Sequence, residues 1–276
     1  MEPRIATRPW QPVPAIRLST WLHLLGAVSL AAQPESWPFV LAAVLANHLL
    51  LASAVLLPRS RLLGGNLVRL PAAAARRNEI ALTFDDGPER SATPQVLDLL
   101  DRYGAKASFF VIGERASANP DLIREIVRRG HSVENHSQAH SHAFAFYGVS
   151  RLRRELSEAQ GAISALTGRP PQFFRAPYGF RSPLLDPVLA GLGLRYVSWS
   201  RRGFDATQHD PDKVFGRLVA DLGAGDILLM HDGVDGGTVR RAPTVVEVLP
   251  RLLDAIAARR LMPVSLPAAF KDGFQT

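Results

Sequence analysis

From Glu79 onward the chain alternates short, β-rich apolar runs with helical patterns, and this alternation restricts the fold more than any other feature. The runs read Ile80–Phe84, Ala107–Ile112, Ser132–Glu134, Gln172–Phe174, Arg195–Trp199, Asp226–Met230 and Met262–Leu266. Between them, Thr93-Pro94, Asn119-Pro120 and Ser182-Pro183 each pair a capping residue with proline at an expected first helical position, and Gly130 and Gly168 fall where helices should stop. Strands joined by helices pair in parallel, because a parallel neighbour requires a crossover of a dozen or more residues. The result is an α/β protein, either open and doubly wound or closed into a barrel. The polar residues favour the barrel. Asp85 and Asp86 follow the first run, His136 and His140 the third, Arg175 and Tyr178 the fourth, Asp205 the fifth and His231 the sixth. A barrel gathers all these carboxyl ends on one rim, whereas an open sheet spreads them over many strand spacings.

Residues 1–70 have a different character. Trp37 to Leu57 is apolar over about 20 residues, the length that crosses a bilayer, with Asn47 and His48 as its strongly polar interruptions. Leu18 to Ala32 is a shorter apolar stretch. The arginines at 4, 8 and 17 ahead of it also suit a cleaved signal peptide. A second, longer apolar segment follows after only "QPES", so a transmembrane helical hairpin is the preferred reading. Arg4, Arg8 and Arg17 precede the hairpin, and Arg59, Arg61, Arg69, Arg76 and Arg77 follow it. The connection carries Glu35 and no Lys or Arg. Positive-inside reasoning then puts both ends, and the large domain, on the cytoplasmic side of the cell (inner) membrane. If only the second segment spans, the flanks compete. The expected division is a membrane anchor over 1–70 and a catalytic domain over 71–276.

The net charge of +7 rests almost wholly on arginine, since Lys106, Lys213 and Lys271 are the only lysines. Those arginines are scattered through helical patterns with no dense basic run, which argues against a nucleic-acid partner. Nothing in the chain points to a protein partner. With no cysteine, any metal must be held by histidine and carboxylate.

Two places could supply such ligands. "ALTFDDGP" at 81–88 sets Asp85 and Asp86 side by side where a buried strand should end; alone it also reads as an ordinary strand followed by a turn. "ENHSQAHSHA" holds His136 and His140 four residues apart, so that on one helical turn, or a loop entering one, both imidazoles face the same side. The same segment includes His142, with His131 just before it, and polar loop histidines remain an alternative. Two histidines and a carboxylate also describe a non-haem iron oxygenase site.

"TFDDGP" at 83–88, "NHSQAH" at 135–140, "RAPYG" at 175–179 and "LMH" at 229–231, in this order, resemble the motifs of the polysaccharide deacetylase family. These are the NodB-like carbohydrate esterases, which include chitin and peptidoglycan deacetylases and lipid-linked sugar deformylases. The resemblance covers residues 79–267 and implies a distorted (β/α)7 barrel. It implies that Asp86, His136 and His140 hold a divalent metal, usually zinc, and that Asp85 is the general base. It further implies that Arg175 pairs with Asp85, that the backbone N–H of Tyr178 stabilises the oxyanion, and that His231 is the general acid oriented by Asp205. One departure stands out: Ala206 replaces the family's groove-lining tryptophan, with Arg201, Arg202 and Phe204 in the surrounding loop. Loss of that wall argues against a long polysaccharide, and the two arginines are either solvated or placed to receive an anion. The expected function is removal of an N-acyl group, acetyl first, from an amino sugar of a cell-envelope or lipid-linked glycan. A membrane-tethered glycan-binding protein without turnover is the alternative from another class.

Overall fold

The computed structural model describes residues 10–233 and 244–272, so the expectations at Arg4 and Arg8 lie outside the described residues. Its sheet is built from β1 (Glu79–Asp85), β2 (Ala107–Val111), β3 (Ser132–Asn135), β4 (Phe173–Phe174), β5 (Arg195–Tyr196), β6 (Arg201–Arg202), β7 (Ile227–His231) and β8 (Met262–Pro263). Every pairing is parallel, in the spatial order β5-β4-β3-β2-β1-β7-β6, with β8 beside the start of β1.

Of the expected strand Arg195–Trp199 only Arg195 and Tyr196 form β5, and β6 follows beyond it at Arg201–Arg202, because one stretch of chain serves both edges of the sheet. Val197 N–H donates to Phe174 O at 2.9 Å on one edge, and Ser200 N–H donates to Ile227 O at 2.9 Å on the other. This closes a distorted (β/α)7 barrel. Residues placed with the anchor on sequence fill the remaining gap. Leu67 N–H donates to Tyr196 O and Ser198 N–H to Leu67 O, each at 3.0 Å, and Leu70 N–H donates to Gly225 O at 2.9 Å. Leu63 and Leu70 are buried with them. On sequence "RLLGGNLVRL" reads as a linker because of its polar and glycine residues, and these contacts with the barrel are not visible in it. The last run also shortens: only Met262 and Pro263 pair with β1, and a helix starts at Leu266.

Alternation along β1 sets up the site. Ile80, Leu82 and Phe84 point outward into a core with Val96, Leu97 and Leu100 of the helix Thr93–Arg102, Ile123 and Ile126 of Pro120–Arg128, and Leu249 and Leu252 of Thr244–Ala258. Each such side chain contributes about 1.5–3 kcal/mol of burial. Ala81 points inward, against Phe110, Phe173, Val197, Ile227 and Phe270, which fill the barrel interior. By the same period of two, Thr83 and Asp85 enter the barrel from above that apolar plug.

Two further helical segments, Pro14–Ala32 and Pro34–Val55, are long and apolar enough to cross a membrane. They pack on each other, with Asn47 Nδ2 donating to Ser19 Oγ at 2.9 Å and the His23 and His48 rings 5.2 Å apart. Leu18, Trp21, Leu25, Phe39, Leu45 and Leu49 remain exposed around them.

Candidate active site

The two neighbouring acids diverge because the strand ends between them. Asp85 is the last residue of β1 and keeps its inward direction, whereas Asp86 turns into the left-handed region at φ 71°. Arg115 Nη1 donates to the Asp86 carbonyl at 2.7 Å and fixes this turn. The Asp86 carboxylate then meets two imidazoles: its Oδ1 lies 3.2 Å from Nε2 of His136 and 3.2 Å from Nε2 of His140. Those histidines sit on a loop, with no helical turn between them. Ser137 and His140 both have positive φ, Ser137 N–H donates to Asn135 Oδ1 at 2.9 Å, and His140 N–H donates to Ser137 Oγ at 3.1 Å.

His136 Nδ1 lies 2.8 Å from the carbonyl of Arg175, which can only accept, so Nδ1 carries the proton and Nε2 of the neutral ring is a bare lone pair. A lone pair facing a carboxylate oxygen at 3.2 Å, in a buried place, requires a proton or a cation between them. Burial pulls the His136 pKa down, yet the Asp85 and Asp86 charges outweigh it and the net shift is upward. Burial likewise pushes the Asp86 carboxyl up, but the His136 hydrogen bond and the charges of His231, His136 and His140 hold it below the usual carboxylate range. One ligand atom from each of Asp86, His136 and His140 lies within 4.8 Å of the other two. Two imidazoles and a carboxylate, with the second nitrogen of His136 already oriented, fit a divalent cation of the zinc type.

Asp85 faces the other way. Its Oδ1 accepts from Arg175 Nη1 at 2.5 Å, and its Oδ2 lies 3.8 Å from His136 Nε2. Arg175 is fully buried and no surface cation. It also donates to Thr83 Oγ1 at 2.9 Å and Ser198 O at 2.9 Å, and its guanidinium lies over the Phe110 ring at 4.2 Å.

His231 closes β7 and lies in register with Asp85. Its Nδ1 is 2.9 Å from Asp205 Oδ1, and its backbone N–H donates to Asp205 Oδ2 at 2.7 Å. Burial lowers the His231 pKa, but the charge and hydrogen bond of Asp205, with help from Asp86 and Asp85, raise it to about 9. Tyr178 completes the rim. It holds φ 59°, a strained value for a bulky residue, and its ring lies 4.7 Å from that of His140 and stacks on His142 at 4.9 Å. Gly179 beside it cannot be larger: a Cβ there would stand 2.7 Å from Trp199 and 3.1 Å from Pro58.

All eight residues expected from sequence thus stand around one mouth. A ninth, Asp232, is absent from that reading. It is fully buried behind His231, burial pushes its carboxyl up to about 7, and Thr93 Oγ1 donates to its Oδ2 at 2.6 Å. A Cβ on Gly87 would fall 2.4 Å from it. Its signal was its position directly after "LMH"; its burial is not a sequence property. Thr93 serves this contact in place of capping a helix.

Arg201 and Arg202 belong to β6, not to a loop. Arg201 Nε donates to Asp226 Oδ2 at 2.7 Å and its terminal nitrogens to the carbonyls of Ala220 and Asp221, so it is neither solvated nor placed to receive an anion.

The polysaccharide deacetylase family model matches residues 72–197. A chitooligosaccharide deacetylase from Sinorhizobium fredii is 34% identical over 204 residues, spanning 72% of this chain and 94% of the relative. A peptidoglycan-N-acetylglucosamine deacetylase from Bacillus cereus is 31% identical over 175 residues, spanning 63% and 81%. Among solved structures, a peptidoglycan N-acetylglucosamine deacetylase superposes with a TM-score of 0.68 at 26% identity, covering 75% of this chain and 92% of that one. The match of the family model, the 34% identity over 72% of the chain and the shared barrel make this chain a member of the polysaccharide deacetylase family.

Proposed function

We propose that the chain is a carbohydrate deacetylase: a metal-dependent hydrolase that removes an N-acetyl group from an amino sugar of a cell-envelope or lipid-linked glycan. The observation that carries this reading is the separation of Asp85 from Asp86. One carboxylate faces two imidazoles while its neighbour is held, by Arg175, beside the same His136.

Asp86, His136 and His140 would hold the cation, which when bound polarises the amide carbonyl and acidifies the attacking water. Asp85 accepts the proton of that water as its oxygen bonds to the carbonyl carbon. Arg175 fixes the Asp85 carboxylate through Oδ1 and leaves Oδ2 toward the reacting atoms. The tetrahedral adduct carries an oxyanion, for which the Tyr178 backbone N–H is the proposed donor. His231 keeps Nδ1–H on Asp205 and delivers the Nε2 proton to the departing amine nitrogen, so the C–N bond breaks to acetate and a free amino sugar. The names of the relatives support acetyl and amino sugar. The His231–Asp205 and Arg175–Asp85 pairs have no task in an iron oxygenase.

The N-terminal hairpin would hold the enzyme at the membrane. Asn47 donates to Ser19 across the helix pair, Ser29 bonds to Ser36 of the connection, and the outward leucines and aromatics need an apolar cover. We place the end of the anchor near residue 57 and the catalytic domain from Pro58 onward, facing the cytoplasm.

The full chain, purified in detergent with zinc, should release acetate from N-acetylated chito-oligosaccharides. Tight binding of those sugars with no acid released would favour the glycan-binding alternative.

A further inference from the structure

Each carboxylate that faces the reacting atoms has its own cationic or proton-bearing partner: Asp85 has Arg175, Asp205 has His231, and Asp86 has the two imidazoles. Arg202 is left over. It pairs in register with Leu229 of β7, which pairs with Thr83 of β1, so strand alternation turns it into the barrel on the side of Thr83 and Asp85. Arg201, one residue earlier, turns the other way and is consumed by Asp226.

The guanidinium of Arg202 lies 5.2 Å from the centre of the Trp199 ring and 4.7 Å from that of Phe204. Trp199 is the same ring that Arg175 approaches at 5.8 Å. Arg202 is partly buried, its Nε is closed off from solvent without an acceptor, and its side chain forms no hydrogen bond or ion pair among the described residues. Ring faces attract a cation but do not satisfy in-plane N–H groups. A desolvated guanidinium without an acceptor is costly to the fold, and an anion arriving with a ligand would supply the missing acceptors. Burial pulls the Arg202 pKa down, while Asp85, Asp205 and Asp86 oppose the shift, which sets the group electrically close to the reacting centre. Phe204 and Ala206 are exposed beside it, so this edge of the mouth is open.

We propose that Arg202 is a specificity-determining residue that pairs with an anionic group, phosphoryl or carboxyl, carried by the substrate next to its acylated amino sugar. The identification of that group as part of a sugar rests on the deacetylase reading above.

Isothermal titration of the zinc-loaded full chain in detergent tests this with three probes. They are N-acetylglucosamine 1-phosphate, N-acetylmuramic acid, and the neutral methyl N-acetylglucosaminide. The wild type should bind at least one anionic probe roughly tenfold or more tighter than the neutral one. The stronger anionic arm tells phosphoryl from carboxyl. Arg202→Met, which keeps the stem on the rings, should erase the difference, and Arg202→Lys should restore part of it. Acetate release measured alongside should show the same change in the anionic-to-neutral ratio of kcat/KM. Equal affinities in the wild type, or a preference unchanged in Arg202→Met, would overturn the proposal. Should Arg202→Met not fold, Arg202→Gln carries the comparison, and the wild-type arm still decides. An anionic preference that depends on Arg202, with no acetate from any sugar, would sink the deacetylase reading and leave this one standing.

Discussion

Asp205 binds His231 twice, at 2.9 Å through the imidazole Nδ1 and at 2.7 Å through the backbone N–H, so one carboxylate fixes both the ring and the strand that carries it. The imidazolium is thereby held to about pH 9 although the ring is buried. The proton is present below that value and is lost as pH rises through it. With His231 as general acid, kcat/KM should fall on the alkaline side near pH 9. Asp205→Asn removes the first opposing charge and leaves burial dominant, so the alkaline limb should move down by more than about one unit. An unmoved limb would show that another group donates the proton.

Asp85→Asn keeps the shape of the site and removes the proton acceptor. Activity should fall by roughly 10²–10⁴, while zinc content stays near that of the wild type because Asp86, His136 and His140 are untouched. A variant that kept most of its activity would remove Asp85 from the role of base.

Arg175 is fully buried and tied to Asp85, Thr83, Val197 and Ser198. Arg175→Met strands the Asp85 carboxylate without its partner, a change of the class that costs about 3–5 kcal/mol. In the purified protein Tm should drop by roughly 6–20 °C together with the loss of activity. A drop of under about 2 °C, small beside that expectation, would mean that the pair contributes orientation alone.

A chain begun at Pro58 should fold, and one begun at 71 should not hold its barrel closed. The second loses the Leu67 ladder to Tyr196 and Ser198, the Asn66 acceptor for Ser198 Oγ at 2.8 Å, and the carbonyls of Gly64 and Gly65 that receive Arg181. Equal melting temperatures for the two chains would return residues 58–70 to the anchor.

The rim was legible because parallel strands project their carboxyl ends to one side. A residue's place in the alternating pattern therefore already gave its place in space: Asp85, His136, Arg175 and His231 each fall at or just past a strand end. What was not legible depends on contacts distant in sequence. The split of 195–202 into β5 and β6 follows from two different neighbours, Phe174 and Ile227, neither of which is near in the chain. Arg201 looked free until Asp226 came beside it, and Arg69 and Arg77, counted toward membrane orientation, pair with the distant Asp226 and Asp272. Thr93 reads as a cap locally, yet its hydroxyl is drawn to Asp232, 139 residues away.

Zinc binding by the purified chain decides whether Asp86, His136 and His140 close around one cation. Titration of metal-stripped protein should give one tight site per chain, abolished in His140→Ala and Asp86→Asn, with acetate release lost on stripping and regained with the metal. Stoichiometric zinc that survives both substitutions, or full activity in the stripped protein, would contradict it.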